Sequence, residues 1–237
     1  MKLFAEIDPG GGLRGVMSQA DVLSGFDGFD IPDSPLGRPA VLPAVLAQVL
    51  IERLEEEKTI IVNQRLLDVD ELHLRSLIMT AVQMGVWLLL TQGDQPAHGK
   101  GCGLLSSEAA LLSALSEGVH AGLIVSFRKP QEEQRKRLSL PASFFLGINL
   151  RDIAHVARDE RLIPYVLVRT ERNAQLLGSL EQPSWDVKDA KDLLGQLEGL
   201  GFRAVLLSSP RDTASLADLL RWARNPYKGF QTNTMGW

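Results

Sequence analysis

Eight short aliphatic runs, separated by segments with helical periodicity, constrain this 237-residue chain more than any other feature. Nearly continuous apolar runs that end at polar, Gly or Pro residues are typical of parallel strands covered on both faces. The predicted strands span residues 3–8, 28–32, 59–64, 86–91, 121–126, 144–149, 165–169 and 204–208. The sequence therefore predicts an α/β fold with a mainly parallel sheet.

The clearest predicted helix follows the third strand, over residues 68–84. Asp68 is expected to cap its first turn, Glu71 follows three residues later, and Gly85 ends the helix. Further helices are predicted over residues 44–54, 107–115, 153–160, 187–197 and 215–223, and a short one within 13–23.

The number of strands favours a closed (β/α)₈ TIM barrel over an open doubly wound sheet, which usually has five or six strands. We predict a single domain over residues 1–237, with 225–237 as a C-terminal tail. Only residues 129–141 separate the fifth and sixth strands, so the β5–α5 unit is predicted to be shortened to a couple of helical turns.

Composition excludes several classes of function. The net charge of −4 supplies no basic field for nucleic acid. The longest apolar stretches, such as 86–90, are too short for a membrane span, and MKLFAEIDP does not resemble a signal peptide, so we expect a cytoplasmic protein. Cys102 is the sole cysteine, and HxH, HExxH and GxSxG motifs are missing, so we expect neither a metal site nor a serine nucleophile elbow.

In a (β/α)₈ barrel the active site lies at the C-terminal ends of the strands, so polar residues at those ends are the candidates. Glu6 is the foremost, because an ionisable group inside the apolar run LFAEID is costly unless it is paired or used. The alternative for Glu6 is a buried ion pair with an arginine such as Arg65. The other polar residues at strand ends are Asp8, Asp30, Asp33, Asn63, Gln64, Arg65, Thr91, Gln92, Asp94, Arg128, Asn149, Arg169, Thr170, Ser208, Ser209 and Arg211.

The loop after the fourth strand is rich in glycine. Backbone N–H groups at Gly99, Gly101 and Gly103 could approach a phosphate, with Lys100 adding charge; a plain mobile loop is the alternative. Cys102 in this loop is interpreted as incidental. Of the histidines, His73, His120 and His155 are assigned to the outer shell and only His98 to the side of the site.

Four segments resemble the methylenetetrahydrofolate reductase family in their order and spacing. They are FAEIDP at strand 1, GFDGFDIPDSPLGRP at strand 2, IIVNQRLLD at strand 3 and GVWLLLTQGDQP at strand 4. The resemblance is clearest over residues 3–96, and FFLGINL continues it in outline. It implies a (β/α)₈ barrel that binds flavin and folate at its C-terminal mouth.

The resemblance also implies roles for individual residues. Glu6 matches the family's general acid, which helps open the five-membered ring of methylenetetrahydrofolate. Asp94 matches the aspartate that hydrogen-bonds the pterin, and Asp33 and Arg38 lie in the loop that resembles the family's strand-2 turn. The substrate-binding set is Asp94, Asn63, Arg65, Gln92 and Asn149, and the cofactor-binding set is Thr91, Gly93, His98, Lys100 and Arg128.

Two segments depart from the family pattern. Where the family has a Tyr-Pro-Glu-x-His-like stretch that helps hold the flavin, this chain reads SFRKPQEEQ. Where the family has a Thr-Gln pair whose glutamine binds folate, FFLGIN places Gly147 and Ile148, and Asn149 follows one residue later. We therefore expect FAD to be held weakly, held only within a complex, or absent.

Three hypotheses for function remain open. The favoured one is an oxidoreductase that reduces a methylene-pterin to a methyl-pterin, working with an accessory redox subunit. The second is a pterin-binding methyltransferase in which Asp94, Asn63 and Asn149 hold a methylated pterin and a corrinoid protein accepts the methyl group. The third is a noncatalytic partner subunit on the same barrel. A homo-oligomer is left open.

Overall fold

The computed structural model describes residues 1–54, 57–101, 103, 105–151, 153, 156 and 159–225. Its strands are β1 (Lys2–Glu6), β2 (Gly28–Ile31), β3 (Thr59–Arg65), β4 (Trp87–Thr91), β5 (Ala121–Ser126), β6 (Phe144–Ile148), β7 (Leu162–Arg169), β8 (Trp185–Asp186) and β9 (Ala204–Ser208). All pairs are parallel and run β6-β5-β4-β3-β2-β1-β9-β7, and pairing of β6 with β7 closes the ring. The predicted (β/α)₈ barrel is confirmed, and β8 pairs only with the end of β7.

The helices outside the barrel are α1 (Gly12–Val22), α2 (Pro43–Arg53), α3 (Glu71–Met84), α4 (Ser107–Ser116), α5 (Gln131–Leu138), α6 (Ala174–Gly178), α7 (Val187–Gly199) and α8 (Thr213–Arg224). The prediction that Asp68 caps α3 is wrong, because the carboxylate of Asp70 accepts the hydrogen bond from the His73 N–H at 2.8 Å. Asp68 instead pairs with the Arg65 guanidinium. Gly85 ends the helix in the left-handed conformation, as predicted.

The short unit after β5 has the predicted form, since α5 contains only 8 residues. The segment between β7 and β9 contains two more elements than predicted, because α6 and β8 precede α7 there. The predicted helix over 153–160 falls mostly on residues outside the described ones. Cys102, His155 and residues 226–237 of the predicted tail also lie outside them.

Two apolar clusters fill the molecule, one between the sheet and the helices and one inside the barrel. The inner cluster consists of Phe4, Ile61, Leu89, Phe144, Leu146, Ile163, Ala204 and Leu206. Because side chains alternate across a strand, these residues identify which positions face the barrel interior. Interior positions closer to the C-terminal strand ends carry polar side chains, and they form the candidate site.

Aromatic rings close the opposite, N-terminal end of the barrel. The Trp87 ring lies 6.4 Å from that of Phe4 and 5.2 Å from that of Phe144, measured between centroids. The exposed ring of His120 lies 3.9 Å from that of Trp87, on the side of the barrel away from the C-terminal strand ends. His120 lies at the N-terminal end of the barrel because it precedes β5, whose first residue pairs with Leu88, the neighbour of Trp87. Chemistry at this apolar end is therefore disfavoured.

Candidate active site

Glu6, the last residue of β1, lies inside the barrel near its C-terminal mouth. It follows Phe4 of the inner cluster by two positions, so the alternation of the strand turns it inward. The Ser208 hydroxyl on β9 donates to Oε1 at 2.6 Å, and the Tyr165 hydroxyl on β7 lies 3.2 and 3.1 Å from the two carboxyl oxygens. The alternative of an ion pair with Arg65 is wrong, because the partners of Glu6 are hydroxyl groups.

This setting changes the acidity of Glu6. Burial raises the pKa of the carboxyl group, while the hydrogen bonds from Ser208 and Tyr165 lower it in part and the nearby charge of Asp8 raises it. The net result is a raised pKa. The side chain remains partly exposed, so a ligand at the mouth can reach it. A carboxyl group in this state can carry a proton at higher pH than an ordinary glutamate and can deliver it as a general acid.

Asp30 on β2 is the register partner of Glu6. It is completely buried, and its Oδ2 accepts a hydrogen bond from Asn63 Nδ2 on β3 at 3.1 Å. Burial and the neighbouring charge of Glu6 place the pKa of Asp30 well above its ordinary range. Glu6, Asp30, Asn63, Tyr165 and Ser208 are hereafter called the interior polar layer.

A second group of polar contacts joins the loops after β2, β3 and β4. Arg65 is 3% exposed, and its Nε donates to Asp68 Oδ2 at 2.6 Å. Its second guanidinium nitrogen donates to the backbone carbonyl of Asp94 at 2.7 Å, and its backbone N–H donates to Asp33 Oδ2 at 3.1 Å. The Asp94 carboxylate is exposed and accepts the Leu36 N–H at 3.1 Å. Arg65 therefore holds the three loops together.

The structure thus brings two of the three leading candidates, Arg65 and Asp94, into direct contact. Within the described part of the chain, no hydrogen bond joins either of them to Glu6. Glu6 is the last residue of β1 and Asp94 follows the last residue of β4 by three positions, so both belong to the C-terminal end of the barrel. The convergence of all three residues on one cavity stays a prediction.

Three further residues of the predicted substrate-binding and cofactor-binding sets make local contacts. Gln92 donates to the Leu105 carbonyl at 2.8 Å, so its amide braces the loop after β4. The Thr91 hydroxyl accepts the Gly93 N–H at 3.3 Å. Asn149 adopts a left-handed conformation with φ of 60° and donates to the Ser126 hydroxyl at 3.0 Å. These contacts shape the rim of the mouth.

The predicted flavin-binding residues do not form a cradle. Arg128 is exposed and already pairs with Glu181 at 3.0 Å. Gly93 packs on Arg65, since a Cβ there would lie 2.8 Å from a guanidinium nitrogen. His98 and Lys100 are exposed on the loop after β4, where solvent screens the charge of Lys100. The residues present at these positions therefore do not fit a flavin.

Sequence reasoning assigned no role to Tyr165, Ser208 or Asp30. Asp30 and Ser208 are among the polar residues at the predicted strand ends, whereas Tyr165 is the first residue of the predicted strand 165–169. The strand instead begins at Leu162, and Pro164 lies within the β6–β7 pairing. Tyr165 therefore occupies the interior position two residues after Ile163, where it reaches Glu6.

Two features bear on metal and membrane binding. Among the residues that the structure describes, no group of three or more His, Cys, Asp and Glu side chains is arranged to hold a metal ion. None of the helices in the same residues combines the length and apolar character of a transmembrane span.

No family model matches the chain, and no curated protein matches it. Solved structures do share the fold. A 3-hexulose-6-phosphate synthase aligns with a TM-score of 0.53 and 16% identity over 94% of this chain and 99% of its own. An uncharacterised Clostridium thermocellum protein that binds two copies of 5-methyl-5,6,7,8-tetrahydrofolic acid aligns with a TM-score of 0.62 and 9% identity over 92% and 93% of the two chains.

An oxaloacetate acetylhydrolase in complex with 3,3-difluorooxalacetate also aligns, with a TM-score of 0.56 and 14% identity over 94% of this chain and 79% of its own. At these identities the similarity establishes the barrel fold alone. The functional argument therefore depends on the side chains of the mouth.

Proposed function

We propose that this barrel is a methylenetetrahydrofolate reductase-like protein that reduces a methylene-pterin to a methyl-pterin, with Glu6 as the general acid. The observation that carries the proposal is the setting of Glu6: a carboxyl group at the mouth of the barrel, with a raised pKa and two hydroxyl partners. The resemblance of residues 3–96 to the reductase family supports the same role.

The chemistry needs one proton and one hydride. The proton moves from the Glu6 carboxyl to the amine nitrogen of the five-membered ring, and the bond between that nitrogen and the methylene carbon breaks. The electron pair of the bond stays on the nitrogen, which leaves an iminium carbon on the pterin. Hydride addition to this carbon gives the methyl group, and Glu6 is left as a carboxylate that solvent protonates again.

Two polar side chains at the mouth of the barrel offer groups that can orient a pterin. The aminopyrimidine edge of a pterin presents adjacent N–H donors, and the exposed Asp94 carboxylate can accept hydrogen bonds from them. Asn149, at the end of β6, offers an amide from another side of the mouth. The Clostridium thermocellum barrel that binds a methylated tetrahydrofolate supports a folate ligand for a chain of this shape.

The hydride donor is proposed to come from outside this chain. A reduced flavin or nicotinamide would supply the hydride, but the predicted flavin positions are engaged elsewhere or exposed, as with Arg128 bound to Glu181. An accessory redox subunit that presents the donor to the mouth would complete the enzyme. Glu6 itself supplies only the proton.

The test measures binding and turnover separately. Equilibrium dialysis with a reduced folate establishes whether the chain binds a pterin, and single-turnover assays with methylene-tetrahydrofolate and reduced flavin or nicotinamide establish reduction. Conversion that requires Glu6 supports the proposal. Tight pterin binding without reduction by any donor, together with methyl transfer from methyl-tetrahydrofolate to a corrinoid, would favour the methyltransferase alternative.

That alternative has one supporting observation, the methylated folate bound by the Clostridium thermocellum neighbour. In a methyltransferase Glu6 would protonate the pterin nitrogen that loses its methyl group, so the same carboxyl setting serves it. The noncatalytic hypothesis predicts neither reaction. The two assays above therefore separate all three functions.

A further inference from the structure

Few groups around Asp30 could stabilise an ionised carboxylate. The side chain is 0% exposed, and its one hydrogen bond comes from Asn63 Nδ2 to Oδ2 at 3.1 Å. Oδ1 is buried and has no partner among the described residues. An ionised carboxylate has about four lone-pair positions to satisfy, and burying it without partners is costly.

The charges near Asp30 are of the wrong sign to compensate. Glu6 on β1 is its register partner, and Tyr165 on β7 is bonded to Glu6. On β3, Asn63 is uncharged, and the Arg65 guanidinium is engaged by Asp68 and the Asp94 carbonyl. Across the described residues, no Lys or Arg side chain hydrogen-bonds Asp30. Two adjacent carboxyl groups without a cation do not readily ionise together.

Asn63 supplies the complementary observation. Its Oδ1 is the second buried oxygen of this pair that lacks a partner among the described residues. A hydrogen on Asp30 Oδ1 would turn that oxygen into a donor. The amide that already donates to Oδ2 would then receive a hydrogen bond in return. A carboxylic acid and an amide can pair in this way through two hydrogen bonds at once.

We propose that Asp30 is held as a neutral carboxylic acid that shares its proton with Asn63 Oδ1, and that it is a positioning residue for Glu6. Glu6 is then the one member of the carboxyl pair that ionises. When Glu6 gives up its proton, no second negative charge opposes the one that forms. The protonation of Asp30 follows from burial and bonding alone, whereas its effect on Glu6 catalysis rests on the proposed function.

The direct test uses the wild-type chain. In protein labelled with ¹³C at the aspartate carboxyl carbons, one carboxyl resonance should keep the chemical shift of a protonated acid at neutral pH. That resonance should be missing in Asp30→Asn and present in the control Asp70→Asn, whose carboxylate caps α3 at the surface. If every aspartate resonance of the wild type reports a carboxylate at neutral pH, the proposal is wrong.

A second readout concerns Glu6. Asparagine has nearly the shape of a neutral aspartic acid, so Asp30→Asn should leave the alkaline limb of the pH profile of turnover where the wild type has it, whatever the change in the rate itself. If Asp30 were ionised, removing its charge would lower the pKa of Glu6 and shift that limb to lower pH, which would overturn the proposal. Absence of turnover in the wild type would refute the proposed function but leave the NMR result intact.

Discussion

The hydrogen bond from Ser208 to Glu6 gives the sharpest prediction, because its strength depends on the charge of Glu6. Ser208 is 1% exposed and donates to Oε1 at 2.6 Å. A hydrogen bond to a charged group contributes about 1.5–3 kcal/mol, and one between neutral groups contributes about 0.5–1.5 kcal/mol. Ser208→Ala should therefore cost about 1 kcal/mol more when Glu6 is ionised than when it is protonated.

The sign follows from the raised pKa of Glu6. Because the folded-state pKa lies above the unfolded one, the contribution of Glu6 to stability is fully present below the unfolded pKa and is lost as pH rises through the folded pKa. The Ser208 bond favours the ionised form, so Ser208→Ala raises the folded-state pKa of Glu6 further. The stability deficit of the variant should be smallest in acid and should grow with pH until Glu6 is ionised.

The assay is urea unfolding of wild type and variant at a series of pH values from about 4 to about 8. Ser209→Ala is the matched control, because the adjacent Ser209 is also buried but donates to the Val168 carbonyl at 3.2 Å and accepts from Asn173. The stability lost in Ser209→Ala should be independent of pH. If the stability lost in Ser208→Ala depends on pH no more than the stability lost in Ser209→Ala, the argument that Ser208 stabilises the charge of Glu6 is refuted.

Three other outcomes follow from the site. Glu6→Gln should leave the fold intact and keep pterin binding in equilibrium dialysis, yet remove turnover, because an amide cannot deliver the proton; full activity would eliminate the general-acid role. Gly93→Ala should lower the unfolding free energy by about 1–3 kcal/mol beyond the cost of Gly99→Ala, since both have positive φ but only a Cβ at Gly93 would meet Arg65. Equal losses in urea unfolding would contradict this. Purified protein should lack flavin absorbance, and tightly bound flavin at one per chain would show that the loop after β5 has been misjudged.

The barrel was predictable because burial on both faces of a parallel strand leaves a local signal. Each predicted strand overlaps an observed one of the ring, from β1 (Lys2–Glu6) to β9 (Ala204–Ser208). The predicted start of α3 was wrong because two neighbouring aspartates are both able to cap the helix. Asp68 and Asp70 can both cap a helix, and the buried Arg65 attracts the first of them. That choice depends on a tertiary contact that a helix signal does not contain.

The partners of Glu6 were less accessible to sequence reasoning for a related reason. Tyr165 and Ser208 lie 159 and 202 positions away along the chain, and only closure of the barrel brings them to β1. Glu6 could nevertheless be identified from the sequence as a candidate site residue, because a glutamate inside an apolar strand requires an explanation wherever its partners come from. The alternative that paired Glu6 with an arginine such as Arg65 failed because charge alone does not specify which side chains the barrel brings together.

The interior-facing positions contain a signal that would have found the missing residues. On five strands of the ring, an interior residue of the inner cluster is apolar and the residue two positions later is polar. These pairs are Phe4 and Glu6, Ile61 and Asn63, Leu89 and Thr91, Ile163 and Tyr165, and Leu206 and Ser208. Because alternation keeps both members of each pair inside the barrel, the change from apolar to polar occurs at one level near the C-terminal strand ends. A polar layer is costly in a packed interior, so its presence at the end of the barrel opposite the Trp87 ring marks that end as the candidate site.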